Sequence, residues 1–238
     1  NVERLTAERR LKREREILKL YMSEAAMQAA SDPNTAHNSN GTLNASEKYL
    51  TFLFSDIVGF TPLCEQYKPM DVVNLLNSYL DIMATILKDH GAIIDKFIGD
   101  AILAIFGSGS EDDTDAPGQA VRAALAMLDA QQEFNQSALH PLQTRIGINA
   151  GPVIFGDIVS KLHRRDFTAI GDTVNVAQRL QDAASPDSIL ISETVYAPLQ
   201  GLLEVEETGA VSLKGKSSRI NAYRALRFHA SEQPGSRA

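Results

Sequence analysis

Apolar residues along the middle of the chain recur with two periods, one typical of strands and the other typical of amphipathic helices. Pro69 is placed to begin the first long helical stretch and Gly91 to end it, while Gly99 lies between two apolar runs of strand length. The pattern predicts, in chain order, strand 50–58, helix 69–90, strands 92–98 and 101–106, helix 116–137 and strands 143–149 and 152–158. This order is that of the split βαβ arrangement, so we predict an α+β fold with a ferredoxin-like βαββαβ core.

The pattern continues beyond this core and changes at both ends of the chain. We predict C-terminal additions that consist of helix 173–184, strand 188–192, a short helix 193–199 and strands 203–213 and 219–226. The predicted organisation is a linker helix at 1–30, a polar and turn-rich flexible linker at 31–47, one compact domain at 48–228 and a disordered tail at 229–238.

The N-terminal stretch 2–30 contains neither glycine nor proline and is rich in Glu, Arg, Leu and Ala, which predicts a helix. Leu11, Leu18 and Ala25 are spaced by seven residues, as in a coiled-coil seam, although Glu14 takes an intervening seam position. Two interpretations stay open: a parallel dimer helix that joins an upstream module to the domain, or a charged helix that is simply solvated.

The composition excludes several classes of protein. The 238 residues carry a formal net charge of −7, and 44% of them are hydrophobic, which suits a globular protein with a substantial core. The first 22 residues hold seven Arg or Lys against four Glu, so the rest of the chain carries −10, which argues against a nucleic-acid partner. The single cysteine, Cys64, allows no intrachain disulfide and suits a reducing cytoplasm.

Two further observations concern membrane-spanning segments and the start of the sequence. No apolar run approaches the ~18–20 residues of a membrane span. Because the chain begins at Asn1 within a helical pattern, we expect it to be a fragment of a longer protein.

Two aspartates occupy positions where a carboxylate suggests metal binding. Asp56 lies in an apolar strand, and a carboxylate within a buried strand is destabilising unless it is paired or bound to a metal. Asp100 lies at the tip of the hairpin between strands 92–98 and 101–106, where an ordinary turn residue is the alternative interpretation. Two carboxylates suit Mg²⁺, which completes its octahedron with water and substrate phosphate.

Two other stretches have residue types that suit an anion. In Gly59-Phe60-Thr61 the glycine lets backbone N–H groups turn toward an anion, and Thr61 can begin a short helix whose N-terminus favours phosphate. Asn175 and Arg179 are four residues apart on a predicted helix and therefore share one face. The residues alone leave open whether they form a surface pair or an anion-stabilising pair.

Five segments resemble, in their order and spacing, the catalytic domain of class III nucleotidyl cyclases. They are FSDIVGFT, DKFIGDAILAIFG, RIGINAG, DFTAIGDTVNVAQRL and LKGKSSRINAYRAL, and the resemblance covers about 49–227. It implies a homodimer in which two domains pair head to tail and bind ATP at composite sites between them. It also implies two Mg²⁺ ions per site, for which Mn²⁺ substitutes, and a cytoplasmic catalytic domain.

The N-terminal stretch carries a resemblance of its own. The pattern from Arg15 to Tyr21 resembles the linker helix that precedes many bacterial cyclase domains, which implies an upstream sensor or regulatory module. Membrane tethering of the full-length protein stays open.

The resemblance assigns roles to the metal-binding and catalytic residues. Asp56 and Asp100 match the two metal-binding aspartates of the family, and Ile57 matches the residue whose backbone carbonyl also touches a metal. Asn175 and Arg179 match the pair that orients the ribose and stabilises the transition state.

Other matching residues contact the remainder of the nucleotide. Lys96 matches the lysine that reads the base, and Thr168 stands where the membrane-bound mammalian enzymes have Asp, as in the bacterial and soluble subclass called IIIb. Arg145 matches an arginine that contacts the β- and γ-phosphates. Lys216 matches a triphosphate-binding lysine, with Lys214 in the same short run as the alternative.

The choice of base follows from hydrogen-bonding chemistry. Adenine offers an acceptor at N1 and a donor at N6, whereas Lys96 can only donate and the Thr168 hydroxyl can accept. The sequence therefore predicts an adenylyl cyclase that converts ATP to 3′,5′-cyclic AMP and pyrophosphate by metal-assisted attack of the ribose 3′-hydroxyl on the α-phosphate. The general base of this reaction stays open.

The alternatives are a guanylyl cyclase and a catalytically silent regulatory domain of the same fold. A guanylyl cyclase would suit a Glu in place of Lys96, and a silent domain typically lacks a metal-binding Asp or the Asn/Arg pair, all of which are present here.

Overall fold

The computed structural model describes residues 45–107, 115–138, 140–159, 165–211 and 220–229. The chain divides into two compact units, a larger one of residues 47–153 and 170–238 and a smaller one of residues 1–46 and 154–169. The predicted linker helix 1–30 and most of the predicted linker 31–47 lie outside the described residues. The same holds for Lys214, Lys216 and nearly all of the predicted tail 229–238.

Strands and helices alternate along the described chain much as the hydrophobic pattern predicts. The strands are β1 Ser46–Ile57, β2 Ile93–Ile98, β3 Ala101–Phe106, β4 Thr144–Val159, β5 Arg165–Ile170, β6 Ser188–Ser192, β7 Leu203–Val211 and β8 Ile220–Phe228. The helices are α1 Phe60–Gln66, α2 Pro69–Asp89, α3 Ala116–Ser137, α4 Asp172–Ala183 and α5 Glu193–Tyr196, and a single 3₁₀ turn Ala197–Leu199 follows α5.

One sheet organises the larger unit, with its strands in the order β2-β3-β1-β4-β6-β8-β7. β1 pairs antiparallel with β3, β2 pairs antiparallel with β3, and β4 pairs parallel with β6. The order β1-α2-β2-β3-α3-β4 along the chain confirms the predicted α+β fold with a βαββαβ core. In the smaller unit, β5 pairs with β4.

The core of the larger unit lies where α2 and α3 cover one face of the sheet. Leu53 of β1 and Met83 of α2 are fully buried in this cluster, together with Ala120 and Ala124 of α3. The small alanine side chains let α3 approach the sheet closely, since no bulky group separates the backbones. β1 is hydrogen-bonded between β3 and β4, and it carries Asp56 at its end.

Three details of the prediction differ from the structure. The chain around Gly151 continues as one strand, β4, instead of two, because Gly151 does not adopt a positive φ and no turn forms there. β5 was not predicted as a strand, and β1 begins at Ser46, inside the stretch predicted as linker.

Among the described helices, none combines the length and the apolar character needed to cross a membrane.

Candidate active site

Asp56 and Asp100 are brought together by the pairing of β1 with the β2–β3 hairpin. Ser55 opposes Ile102 in the β1–β3 register, so the next residues of the two strands converge on the turn that contains Asp100. The backbone N–H of Ile57 donates a hydrogen bond to Oδ2 of Asp100 over 3.2 Å. Two carboxylates that are 44 positions apart in sequence therefore lie at one end of the sheet.

The electrostatics of this pair favour a bound cation. Burial, followed by the negative charge of Asp56, raises the pKa of Asp100 from 3.8 to about 6. Two neighbouring carboxylates repel each other when both are ionised, and a divalent cation between them stabilises the doubly ionised pair. Carboxylate oxygens are ligands that suit Mg²⁺. No cluster of three or more His, Cys, Asp or Glu side chains able to hold a metal occurs within the part of the chain described here. Because two carboxylates fill only part of an octahedron, a Mg²⁺ ion bound by this pair would keep positions for water and phosphate oxygens.

The carboxylate of Asp56 is held by two donors. Nη2 of Arg145, near the start of β4, lies 2.9 Å from Oδ2 of Asp56. Nε2 of Gln181, near the end of α4, donates to the same oxygen over 3.4 Å. Arg145 also reaches the backbone carbonyl of Asp182 over 3.5 Å, so β1, β4 and α4 meet at this carboxylate.

The segment Gly59-Phe60-Thr61 directly follows the end of β1. Gly59 has a φ of 71°, in the left-handed region that favours glycine, and α1 begins at the next residue. A Cβ built on Gly59 would meet nothing within 4 Å, and Thr61 is exposed. The structure therefore places this segment in an open position next to Asp56, where the sequence predicts contact with phosphate.

α4 carries Asn175 on its exposed side and holds Arg179 partly buried. Its buried residues Val176 and Leu180 pack in a small apolar cluster, whereas Asn175 is exposed. Arg179 is half-buried, and its Nη1 atom is buried without a hydrogen-bond partner among the described residues. A buried guanidinium nitrogen without a partner is unfavourable, which suggests that it is reserved for a ligand.

Two hydrogen bonds anchor the N-terminal end of α4 to β4. Nδ2 of Asn149 donates to the backbone carbonyl of Thr173 over 2.8 Å, and Oγ1 of Thr173 donates to the backbone carbonyl of Pro152 over 2.7 Å. These two bonds connect the helix that carries Asn175 and Arg179 to β4.

The predicted base-reading residues lie in different parts of the structure. Nζ of Lys96 lies 3.3 Å from Oδ2 of Asp95, whose side chain is 1% exposed, and Asp95 occupies the irregularity in the β2–β3 register. Thr168 is half-buried in β5 and belongs to the smaller unit. Lys216 and its alternative Lys214 lie outside the described residues.

Sequence reasoning missed Gln181 and Asp95, whose side chains contact predicted site residues. Gln181 is spaced by four residues from Ala177 and by eight from Thr173, so it falls on the buried face of α4. A long polar side chain on a helix face whose other buried residues are apolar except for Thr173 is a signal that could have identified it. Asp95 follows two isoleucines at the start of a short strand, and no comparable signal distinguishes it.

The βαββαβ sheet, the paired aspartates at its end and the helix with its Asn/Arg pair define the class of nucleotidyl cyclase catalytic domains. The chain matches the family model described as "Adenylate and Guanylate cyclase catalytic domain" over residues 44–225, and it belongs to this family. The predicted family resemblance is therefore confirmed. Domains of this class, class III, generally use divalent metal ions.

Similar proteins include cyclases of both nucleotide specificities. An adenylate cyclase of Anabaena cylindrica is 35% identical over 194 residues, which cover 75% of this chain and 37% of that protein. The crystal structure of the adenylyl cyclase CyaB from P. aeruginosa is 34% identical with a TM-score of 0.72, covering 79% of this chain and 98% of that one. A guanylate cyclase domain from Catenaria anguillulae, solved in complex with GTP, is 28% identical with a TM-score of 0.71, covering 78% of this chain and 100% of that one. The chain thus spans little more than a third of its Anabaena relative, and similarity alone does not choose between ATP and GTP.

Proposed function

We propose that the chain is an adenylyl cyclase catalytic domain that converts ATP to 3′,5′-cyclic AMP and pyrophosphate. The observation that carries the proposal is the convergence of Asp56 and Asp100 at one end of the sheet, linked through the Ile57 N–H. In a family defined by cyclisation of nucleoside triphosphates, such a pair suits the metal ions that the reaction needs.

The metal-binding role falls to Asp56, Asp100 and the backbone carbonyl of Ile57, which would hold two Mg²⁺ ions, with Mn²⁺ as a substitute. The raised pKa of Asp100 supports this assignment. Burial and the negative charge of Asp56 both raise it, and a divalent cation between the two carboxylates relieves their repulsion. When bound, the metal ions lower the pKa of the ribose 3′-hydroxyl and stabilise charge on the phosphate oxygens.

The protein's own residues position the nucleotide and stabilise developing charge. Arg179 offers a guanidinium nitrogen that lacks a partner within the described chain, which suits an oxyanion on the α-phosphate. Asn175, one turn earlier and exposed, orients the ribose. Arg145 and Lys216 bind the β- and γ-phosphates. The backbone at Gly59-Phe60-Thr61, where a Cβ on Gly59 would meet nothing within 4 Å, receives phosphate oxygens.

The preference for ATP rests on Lys96 and Thr168. Lys96 donates to N1 of adenine, and the Thr168 hydroxyl accepts from the N6 amino group. The 3.3 Å contact with the buried Asp95 carboxylate supports this role, since it restrains a long and otherwise flexible side chain. A guanylyl cyclase is the second candidate, because a domain solved with GTP is similar to this chain at a TM-score of 0.71.

We also propose that the domain works as a head-to-tail homodimer with composite sites. Phe97 and Ile98 support this proposal because they are 49% and 50% exposed directly beside Asp100, and apolar side chains at such a place suit a second copy. In the dimer, Asp56 and Asp100 of one chain face Lys96, Thr168, Asn175 and Arg179 of the other. In the full-length protein, the segment 1–30 would then join the dimer to an upstream regulatory module.

A direct product assay tests the proposal. Purified protein is incubated with ATP or GTP in the presence of Mg²⁺ or Mn²⁺, and cyclic AMP and cyclic GMP are quantified. We expect cyclic AMP from ATP, at a rate at least tenfold above cyclic GMP from GTP, and no product from Asp100→Asn. Preferential formation of cyclic GMP would replace the first candidate by the second, and absence of either product with both metals would refute a catalytic role.

A further inference from the structure

We propose that Gln181 is a positioning residue for the metal-binding carboxylate of Asp56. In this role, the side-chain amide of Gln181 orients the carboxylate of Asp56. It also connects the end of β1 to α4, the helix that carries Asn175 and Arg179. The inference rests on the proposed function in one respect, namely that Asp56 binds a metal ion.

The first observation is the contact between the two side chains. Gln181 is 4% exposed, and its Nε2 donates to Oδ2 of Asp56 over 3.4 Å. A buried amide that lost this partner would leave a donor unsatisfied, which is unfavourable. The side chain of Asp56 is 24% exposed, so one part of the carboxylate stays accessible while Oδ2 is held from the protein side. This is the arrangement in which outer donors orient a carboxylate that ligates a metal.

The second observation is that the backbone of Gln181 has no freedom to move toward β4. A Cβ built on Gly147 of β4 would lie 2.1 Å from the backbone nitrogen of Gln181 and 2.3 Å from the carbonyl oxygen of Ala177. α4 therefore rests directly on the β4 backbone, while Asn149 anchors its other end through Thr173. β4 neighbours β1 in the sheet, so the distance from Gln181 to Asp56 is set by rigid elements.

The third observation separates Gln181 from Arg145, the other donor to Asp56. Arg145 lies 2.9 Å from Oδ2, and under the proposed function it binds the β- and γ-phosphates of the substrate. A guanidinium that turns to phosphate gives up its ion pair with Asp56. Gln181 carries no charge for phosphate to attract, so it stays with the carboxylate when the substrate is bound. The two donors therefore have different functions despite sharing one acceptor atom.

A consequence follows for the proposed dimer. In a head-to-tail pair, Asp56 of one chain serves one site, whereas Arg179 of the same chain serves the other. Gln181 is two residues from Arg179 on α4 and contacts Asp56, so it links the metal-binding part of one site to the helix of the second.

The first test measures metal binding without turnover. Gln181→Met keeps the volume of the side chain and removes its donor, and Gln131→Met is the matched control, because Gln131 is 2% exposed and donates to a different carboxylate, Asp187, over 2.7 Å. Mn²⁺ binding is followed by electron paramagnetic resonance of free Mn²⁺, and folding by circular dichroism and thermal unfolding. We expect about tenfold weaker Mn²⁺ binding in Gln181→Met, at the low end of the effect of outer-shell partners because the hydrogen bond is long. Gln131→Met should lose comparable stability and bind Mn²⁺ as the parent does.

The outcomes of this test are distinct. A folded Gln181→Met protein with parental Mn²⁺ affinity would overturn the inference, and so would equal weakening in Gln131→Met, which would indicate general loosening. If Gln181→Met does not fold, Gln181→Asn replaces it, because an amide one methylene shorter cannot span a contact that already measures 3.4 Å. Parental Mn²⁺ binding in Asp56→Asn would show that Asp56 is not a metal ligand, and the inference would be wrong. Mn²⁺ binding by the parent protein without cyclic AMP formation would contradict only the proposed function.

The second test uses heterodimers. Chains with Asp56→Ala and chains with Arg179→Ala are each expected to be inactive, and mixing them restores one intact site that uses Asp56 of the second chain and Arg179 of the first. Gln181→Met placed on the chain with intact Asp56 should raise the Mn²⁺ concentration for half-maximal activity about tenfold. On the chain with intact Arg179 it should leave that concentration unchanged. The opposite pattern would mean that Gln181 acts through Arg179, and the inference would be wrong.

Discussion

Replacing Asp100 by Asn is expected to stabilise the metal-free protein, although it abolishes the proposed catalysis. Burial and the negative charge of Asp56 raise the pKa of Asp100 to about 6, so the folded protein holds this proton more tightly than the unfolded chain does. The contribution of protonated Asp100 to stability is therefore fully present below pH ~4 and is lost as the pH rises through about 6. Asn mimics the protonated carboxyl at every pH, because it is neutral and can accept from the Ile57 N–H.

The magnitude follows from the size of the pKa shift and the exposure of the group. A shift of about two pH units corresponds to roughly 3 kcal/mol if the carboxylate were fully shielded from solvent. Because Asp100 is only half-buried, solvent screening reduces this to about 1 kcal/mol. In a domain of this size, about 1 kcal/mol raises the unfolding temperature by roughly 2–4 °C.

The assay is thermal unfolding in EDTA at several values between pH 5 and pH 8. Asp81→Asn is the control, because Asp81 is exposed on α2 and its replacement removes one negative charge from the same acidic chain without touching the site. We expect the unfolding temperature of Asp100→Asn to exceed that of the parent at pH 8 and to exceed it by a smaller margin at pH 5, while Asp81→Asn stays close to the parent throughout. Saturating Mn²⁺ should reverse the order, since it stabilises only a protein that binds it.

Two results would contradict this reasoning. If Asp100→Asn were no more stable than the parent at pH 8, neither burial nor the charge of Asp56 would disfavour the ionised form of Asp100 in the folded protein. If Mn²⁺ stabilised Asp100→Asn as much as the parent, Asp100 would not be a metal ligand.

Three further predictions follow from the same site. Arg145→Gln should tighten Mn²⁺ binding up to about fivefold in calorimetry without nucleotide, because the 2.9 Å ion pair between Arg145 and Asp56 competes with the cation. The same variant should raise the KM for ATP. Weaker Mn²⁺ binding than in the parent would contradict this prediction. Gly147→Ala should lower the free energy of unfolding by about 1–3 kcal/mol in urea, because its Cβ meets the backbone of α4, and an unchanged midpoint would be inconsistent with that contact. Lys96→Glu combined with Thr168→Cys should lower the ratio of kcat/KM for ATP to kcat/KM for GTP at least about tenfold. The reason is that each buried polar group left unpaired against adenine costs ~1–3 kcal/mol. An unchanged ratio would refute the assignment of the base pocket.

Much of the architecture could be predicted from local pattern. The helix predicted at 69–90 is α2, and the strand predicted at 188–192 is β6, because amphipathic spacing and bounding Pro and Gly residues report the local conformation directly. The single strand β4 and the strand β5 were not predicted. The sequence predicts a break at Ala150-Gly151, and pairing with neighbouring strands keeps this segment extended.

The sequence by itself determined the family and the order of the core elements, and it predicted which residues carry the chemistry. Motifs such as FSDIVGFT and the spacing of Asn175 from Arg179 are properties of short segments, so they can be recognised before any fold is known. The tertiary structure alone decided which of these side chains touch. Asp56 and Gln181 are 125 positions apart, and their contact depends on how α4 rests on Gly147 and how β4 neighbours β1. The hydrophobic periodicity of the sequence does not predict such a contact, because the contact depends on how whole helices and strands pack against one another.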